Sequence, residues 1–305
     1  MSEDGLDPPG DLPEEAEPAK PGQSLARLAW RRFRRNRLAF GGLVFLVIIV
    51  LLSAFAPWVA RTDPVSLNLR AILQAPSGDH WLGTDQVGRD VLARVLYGGR
   101  ISLAIGGAAA VSTVFAGMIL GLLAGYRGGV IDWIIMRAVE VILSFPTLVL
   151  IIFFVTRFGQ NARSIVLVVV LFQWPLSCRL VRNMTMSIRE VDFVQSAKGF
   201  GAGGFHTTVK HILPAAIGPL TVAGTLLAAT SILLESALSF LGFGISPPTA
   251  TWGGILTEAQ SLTVLEQTPW LWIPPGLLIA LTVLSINFVG DGLRDALDPR
   301  TREFT

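Results

Sequence analysis

Charged residues are scarce in this 305-residue sequence: they make up 15% of it, against about 25% in an ordinary soluble domain. They are also unevenly placed, because residues 1–37 hold seven of the 22 acidic and seven of the 24 basic side chains. A chain with so few charges and a positive mean hydropathy cannot cover a soluble globule with polar surface. The composition therefore predicts a membrane protein with several spans.

Cysteine is nearly absent, since Cys178 is the only one, and this excludes an intrachain disulfide framework. The sequence lacks the G-x-x-x-x-G-K-[ST] phosphate-binding loop and the G-x-S-x-G hydrolase motif. Its three histidines, His80, His206 and His211, do not have metal-binding spacing. The net charge of +2 gives no basis for nucleic-acid binding. We expect no catalytic residue, no cofactor and no metal site.

A G-x-G-x-x-G pattern does occur, at Gly199, Gly201 and Gly204. A dinucleotide site would need a strand before it and an acidic residue about 20 positions after it. The preceding segment 187–198 is helical in character, and the next acidic residue is Glu235. We therefore predict a tight turn between two cytoplasmic helices.

Long apolar runs are what the sequence has instead, and a helix needs about 20 mostly apolar residues to cross a bilayer. Segment 211–257 is long enough for two spans, but its second half contains Pro247-Pro248 and Gly253-Gly254, which break helices. We predict one span there, followed by a re-entrant or interfacial segment. The result is an all-α polytopic membrane protein with six transmembrane helices, at residues 38–60, 101–126, 133–156, 164–181, 211–234 and 267–290.

Five arginines within residues 31–37 directly precede the first span, which predicts a cytoplasmic N-terminus and, with six spans, a cytoplasmic C-terminus. The basic helix before this span fits both a topology signal and contact with inner-leaflet lipid. The predicted segments are a disordered acidic, proline-rich tail (1–22), a basic amphipathic helix (23–37), the first transmembrane helix (38–60), an extracytoplasmic loop (61–99) with a short helix at 89–98, a transmembrane core (100–292) containing a cytoplasmic loop (183–214), and a cytoplasmic tail (293–305).

Charges inside predicted spans are functional candidates by default. Arg137 and Glu140 lie three residues apart on a helix, so we favour a structural pair over a transport role. Glu235 has no partner nearby in sequence, and two interpretations stay open: it lines a pathway, or it caps the outer segment.

The outer loop combines opposite charges at Asp85, Arg89 and Asp90 with two glycines, Gly83 and Gly88. We predict that these charges order an outer gate or its contact with a partner. On the other side, the cytoplasmic loop 183–214 has the pattern of a helix–turn–helix hairpin. Since the chain lacks an energy-transducing motif, this hairpin suggests a docking site for a partner that has one.

This cytoplasmic loop resembles the EAA loop of ABC-importer permeases, whose coupling helix fits a groove on the ATPase subunit. One departure is that Gln195 stands where the family has glutamate, which removes the charge for an ion pair there. The resemblance implies ATPase-coupling residues at Gln195, Ser196, Ala197, Gly201, Ile212, Leu213 and Pro214.

Three further stretches, 80–103, 239–256 and 287–300, resemble the second permease subunit of dipeptide, oligopeptide and nickel importers. The resemblance implies a type I ABC importer transmembrane domain that forms half of a peptide channel and hydrolyses no ATP itself. It implies four partners: a homologous permease, two ATPase subunits and an extracytoplasmic substrate-binding protein. The expected location is the inner membrane of a bacterial or archaeal cell.

A rival interpretation is a proton-coupled secondary transporter that uses Glu140 or Glu235 as its coupling carboxylate. It predicts uptake that collapses with the proton gradient and needs no ATPase. An intramembrane enzyme is disfavoured, because the sequence has no paired catalytic residues.

Overall fold

The computed structural model describes residues 25–199 and 203–297, and every regular element within these ranges is helical. The predicted all-α class is therefore confirmed. A π-helical turn at Thr208–Ile212 leads into the helix that begins at Leu213. The helices are α1 (Leu25–Arg35), α2 (Arg37–Ala54), α3 (Ala56–Val59), α4 (Val91–Arg127), α5 (Gly129–Leu143), α6 (Thr147–Phe158), α7 (Ala162–Arg189), α8 (Asp192–Gly199), α9 (Gly204–Thr207), α10 (Leu213–Phe240), α11 (Trp252–Thr257), α12 (Leu262–Gln267) and α13 (Pro269–Leu297).

Six membrane crossings are consistent with these helices, as predicted. Five of them, α2, α4, α7, α10 and α13, are each long and apolar enough to cross, while α5 and α6 qualify as a pair bent by 90°. Asp132 near the start of α5 binds Arg182 close to the end of α7. Gln160, just after α6, donates instead to the carbonyl of Gly242 beyond α10. The two ends of the bent pair therefore lie at opposite ends of the bundle, and together they make one crossing.

The third predicted span, 133–156, is wrong as a single straight helix. α5 ends at Leu143, and Pro146 is the N-cap residue of α6. Proline has no backbone N–H and its ring clashes with the carbonyl four residues earlier, so Pro146 favours a break after α5. We call residues 144–146 the elbow. An apolar run hides such a break, because hydropathy carries no information on backbone geometry.

The second crossing starts earlier than predicted. α4 is one continuous helix that absorbs the short helix expected at 89–98, so the preceding loop ends at Asp90 and not at residue 99. Asp90 starts this helix by accepting a hydrogen bond from the backbone N–H of Ala93 at 2.9 Å. Further along, Gly99 lets Trp252 pack directly on the helix, since a Cβ there would lie 2.8 Å from the indole.

α4 and α7 pack closely through glycines on α4. A Cβ at Gly121 would lie 2.6 Å from the carbonyl oxygen of Cys178, and a Cβ at Gly125 would lie 2.7 Å from the Cβ of Thr185. Small residues of this kind let two helix backbones approach each other within a membrane. This pair makes the most extensive helix contact in the bundle; α10 lies beside α4, and α13 packs against α10 and α2.

The two ends of the described chain meet at one end of the bundle. Phe33 of α1 is buried against Ala39 of α2 and Ala296 of α13. α13 reaches Leu297, so it passes the boundary predicted at 293 for the cytoplasmic tail. The first span is shorter than predicted, because α2 ends at Ala54. The predicted disordered tail 1–22 lies outside the described residues.

Candidate functional sites

Two arginines and two carboxylates form a buried ionic cluster where α4 begins. Asp85 is fully buried, and its Oδ2 accepts hydrogen bonds from Arg89 Nε at 2.6 Å and from Arg94 Nη1 at 2.5 Å. Glu258 accepts from Arg89 Nη2 at 2.8 Å and from the two terminal nitrogens of Arg94 at 2.6 and 2.7 Å. Two positive and two negative charges balance here, which makes their burial tolerable. The ionic cluster therefore ties the loop before α4 to the segment after α11.

Asp85 also shapes the turn that carries Arg89. Its Oδ1 accepts hydrogen bonds from the backbone N–H groups of Val87 and Arg89, both at 2.9 Å. Gly88 in this turn has φ +75°, and a Cβ there would overlap the carbonyl oxygen of Asn68. Only glycine fits both the positive φ and the close approach. The local sequence therefore positions the arginine before any distant partner is involved.

Asp90 was predicted together with Asp85 and Arg89, but the structure places it beside the ionic cluster and not in it. Its carboxylate caps α4 and pairs with His80 Nδ1 at 2.8 Å. Two members of the cluster, Arg94 and Glu258, were missed by sequence reasoning. Arg94 could have been noticed as a single arginine at the start of an apolar run. Its partner Glu258 is 164 residues away along the chain, and no local pattern connects them.

Glu235 lies in a closed polar network between α4, α10 and α11. It is fully buried, and its two carboxylate oxygens accept hydrogen bonds from Ser102 Oγ at 3.0 Å and from Ser239 Oγ at 2.8 Å. The backbone N–H of Trp252, the first residue of α11, donates to Ser102 Oγ at 3.2 Å. These contacts hold α11 against the bundle, and they favour the capping interpretation of Glu235 over the pathway interpretation.

Arg137 and Glu140 pair with each other on the surface of α5. Arg137 Nη1 lies 2.8 Å from Glu140 Oε2, and the two side chains are 60% and 52% exposed. An exposed ion pair contributes about 0–1 kcal/mol to stability. The described contacts of these two residues provide no link to another helix.

The first seven residues of the predicted 183–214 loop belong to α7, which ends at Arg189. Glu190 is the C-cap residue, so the helix predicted over 187–198 is divided in two, and α8 follows. On α8, Val194 is buried while Gln195 and Ser196 are exposed. Gln195 Nε2 donates to the carbonyl of Arg189 at 2.9 Å and to Glu190 Oε2 at 3.3 Å.

The remaining predicted coupling residues fall in three places. Ala197 belongs to α8, and Gly201 lies outside the described residues. Ile212 is buried at the end of the π-helical turn, Leu213 is half-buried, and Pro214 is exposed at the first turn of α10. The structure therefore brings the described members to one loop but exposes only some of them.

The 183–214 loop is anchored to the end of α4. Arg189 Nη1 donates to the carbonyls of Gly125 and Tyr126, both at 3.3 Å. Gly204 packs on the same tyrosine, because a Cβ there would lie 2.6 Å from the ring. The 183–214 loop is therefore in direct contact with the end of α4.

Six crossings and an exposed helical loop define a polytopic membrane protein, and the described residues contain no group of metal-binding side chains. Residues 117–303 match the family described as binding-protein-dependent transport system inner membrane component. Residues 24–76 match the N-terminal TM domain of oligopeptide transport permease C. The chain belongs to the first of these families, the permease subunits of ABC importers, as its resemblance predicted.

Relatives cover nearly the whole chain. A putative peptide permease protein of Brucella suis is 42% identical over 276 residues, which cover 90% of this chain and 91% of the relative. The oligopeptide transport system permease protein OppC of Bacillus subtilis is 38% identical over 285 residues, covering 93% of each chain. The dipeptide transport system permease protein DppC of the same organism is 38% identical over 283 residues, covering 93% of this chain and 88% of the relative.

Proposed function

We propose that this chain is one of two permease subunits of an ATP-driven peptide importer and forms half of its translocation channel. The observation that carries the proposal is its full-length similarity to permeases named for peptides, oligopeptides and dipeptides. The sequence has no phosphate-binding loop, so the ATPase activity belongs to partner subunits and this chain is not an enzyme.

The proposed assembly contains a homologous permease, two ATPase subunits and an extracytoplasmic substrate-binding protein. The ATPase contact is assigned to residues 190–214, in which Gln195 and Ser196 are exposed. Closure of the ATPases then moves α8, and Arg189 transmits this motion to the end of α4. The ionic cluster, with Asp85 and Arg89, orders the opposite face, where the binding protein or the second permease docks.

The proposed topology places both chain ends in the cytoplasm. It rests on the arginines of residues 31–37 and on an even number of crossings. Reporter fusions at Ser77 and Thr249 should give an outside signal, and fusions at Gly128 and Gly203 an inside signal. An inside signal at Thr249 contradicts the topology.

The function is tested by purifying the complex from the native membrane with an affinity tag on this chain. An ATPase should co-purify in mild detergent, and peptide uptake into proteoliposomes should require ATP. The control is the same complex with the phosphate-binding lysine of the ATPase replaced, which should not import. Uptake that needs no ATPase and collapses with the proton gradient would instead support the secondary-transporter interpretation with Glu140 or Glu235.

A further inference from the structure

Two cavities join into one groove along α10. The larger, of about 770 Å³, lies between the elbow, α7 and α10, and the smaller, of about 460 Å³, continues towards the end of α13. They share three lining residues, Leu180, Ala223 and Leu226. We call the combined space the α10 groove.

The α10 groove runs the full depth of a membrane. Its residues on α10 recur every three or four positions, so they lie on one face of the helix. At 1.5 Å per residue this stripe covers about 27 Å, close to the roughly 30 Å of a hydrocarbon core. The stripe consists of Pro219, Ala223, Leu226, Thr230, Leu233 and Ala237.

Polar groups without partners line this groove, and they disfavour lipid as its occupant. Gln173 lines the larger cavity near the middle of α7, and its amide has no hydrogen-bond partner among the described residues. The elbow lies beside the same cavity, and no side chain caps the N-terminus of α6. Unpaired amides and broken helices are costly in hydrocarbon and occur where they are buried in protein or line a water-filled space. These groups therefore favour water or protein over lipid in the α10 groove.

The wall of the α10 groove is almost free of charge. The described residues that line its larger cavity include no ionised side chain, and the smaller one adds only Arg294 at its end. Such a wall neither attracts nor repels a passing molecule by its side-chain charges. A free amide, in contrast, can both donate to and accept from a main-chain peptide group.

We propose that the α10 groove is this subunit's wall of the substrate passage and that Gln173 hydrogen-bonds the main chain of a peptide within it. The inference rests on the proposed function. The other occupant to be tested is a helix of the homologous permease, which would fill the groove permanently. Leu226 and Leu233, which are 50% and 46% exposed, would then be covered in every state of the transporter.

Cysteine accessibility separates these two occupants. The only native cysteine, Cys178, is buried, so Cys178→Ala gives a silent background. Thr230→Cys probes the α10 groove, and Thr221→Cys is its matched control. Both threonines lie on α10 and donate to the carbonyl four residues earlier, at 3.0 and 2.8 Å, but Thr221 faces α4 and a different cavity.

The measurement is the rate of labelling by a positively charged methanethiosulfonate, on the whole complex in lipid nanodiscs. We expect Thr230→Cys to react at least about tenfold faster than Thr221→Cys in one nucleotide state. A peptide that the wild-type complex imports should slow this reaction. Equal rates for the two variants, or no labelling of Thr230→Cys in every nucleotide state, would overturn the proposal while leaving ATP-driven import by the wild type intact.

Gln173→Leu tests the amide itself. The side chain makes no hydrogen bond within the described protein, so the variant should fold and assemble normally. Loss of one hydrogen bond to cargo should reduce peptide uptake about three- to tenfold. Gln173→Asn, which retains an amide, should recover part of that loss. Uptake by Gln173→Leu at the wild-type rate would remove the role assigned to this residue.

Discussion

The loop before α4 and the 183–214 loop lie at opposite ends of the same bundle, and they differ in where their polar groups find partners. In the first, Asp85 is fully buried and bound on both oxygens by the protein itself. In the second, Gln195 is exposed and its amide reaches only the end of α7. A loop whose polar side chains are hydrogen-bonded within the chain needs no partner to hold its conformation. A loop that exposes its polar side chains can form hydrogen bonds with a partner.

The same contrast appears in how the two loops are tied to distant parts of the chain. Glu258 connects the first loop to a segment more than 160 residues away. The second loop is connected to a segment nearer in sequence and without an ion pair, because Arg189 donates hydrogen bonds of 3.3 Å to the carbonyls of Gly125 and Tyr126. We therefore expect substitutions at the first loop to affect stability most, and substitutions at the second to affect coupling most.

The largest effect on stability is expected for Asp85→Asn. The amide leaves the buried Arg94 and the half-buried Arg89 facing a single carboxylate, and breaking a buried pair costs about 3–5 kcal/mol. Thermal unfolding of the purified complex should shift downwards by several degrees. An unchanged unfolding midpoint would show that the ionic cluster contributes little to stability. The expected difference in stability between the two loops would then be wrong.

A smaller loss is expected where α4 meets α7. Gly121→Ala places a methyl group 2.6 Å from a backbone carbonyl and should cost about 1–3 kcal/mol by overpacking. Gly107 lies on the same helix, and a methyl group added there would meet no atom within 4 Å, so Gly107→Ala should be neutral or stabilising. The two unfolding midpoints, measured side by side, check this prediction. Equal midpoints would mean that the helix pair is looser than its geometry indicates.

Substitutions at Gln195 should change stability little and coupling strongly. Gln195→Lys should weaken substrate-stimulated ATP hydrolysis through repulsion of a basic ATPase surface. Gln195→Glu restores the family's charge, but it loses the donor to Arg189 and faces Glu190 at about 3.3 Å. If Gln195→Glu keeps the stimulation, the charge presented to the ATPase controls coupling. If the stimulation is lost, the hydrogen bonds of Gln195 to Arg189 and Glu190 control it. Full stimulation in Gln195→Lys would remove the coupling role.

The smallest effect belongs to Arg137→Gln. Both side chains of its ion pair with Glu140 are exposed on the surface of α5, so the change should stay within about 0.5 kcal/mol. Peptide uptake should also be unchanged. A large loss of uptake in this variant would bring back a transport role for the pair.

Prediction from sequence succeeded where the controlling interaction is local. Apolar runs located the crossings, because lipid contact depends on composition over about 20 residues. Asp85 and Arg89 were identified together because they lie in one turn. The same reasoning missed the elbow at Pro146, since hydropathy does not report helix direction. It also missed Glu258 and the α10 groove, because both depend on which helices meet in space.

The length of α4 has a mechanical consequence. Its 37 residues extend over about 55 Å, well beyond a hydrocarbon core, and it contains no proline, whereas α7, α10 and α13 each do. One end carries the ionic cluster, and the other is held by Arg189 and Gly204 of the 183–214 loop. A helix of that length amplifies rotation: a tilt of about 10° about one end displaces the other end by about 10 Å. Under the proposed function, a small rotation at the ATPase end of α4 therefore becomes a displacement of nearly two helix turns at the opposite face.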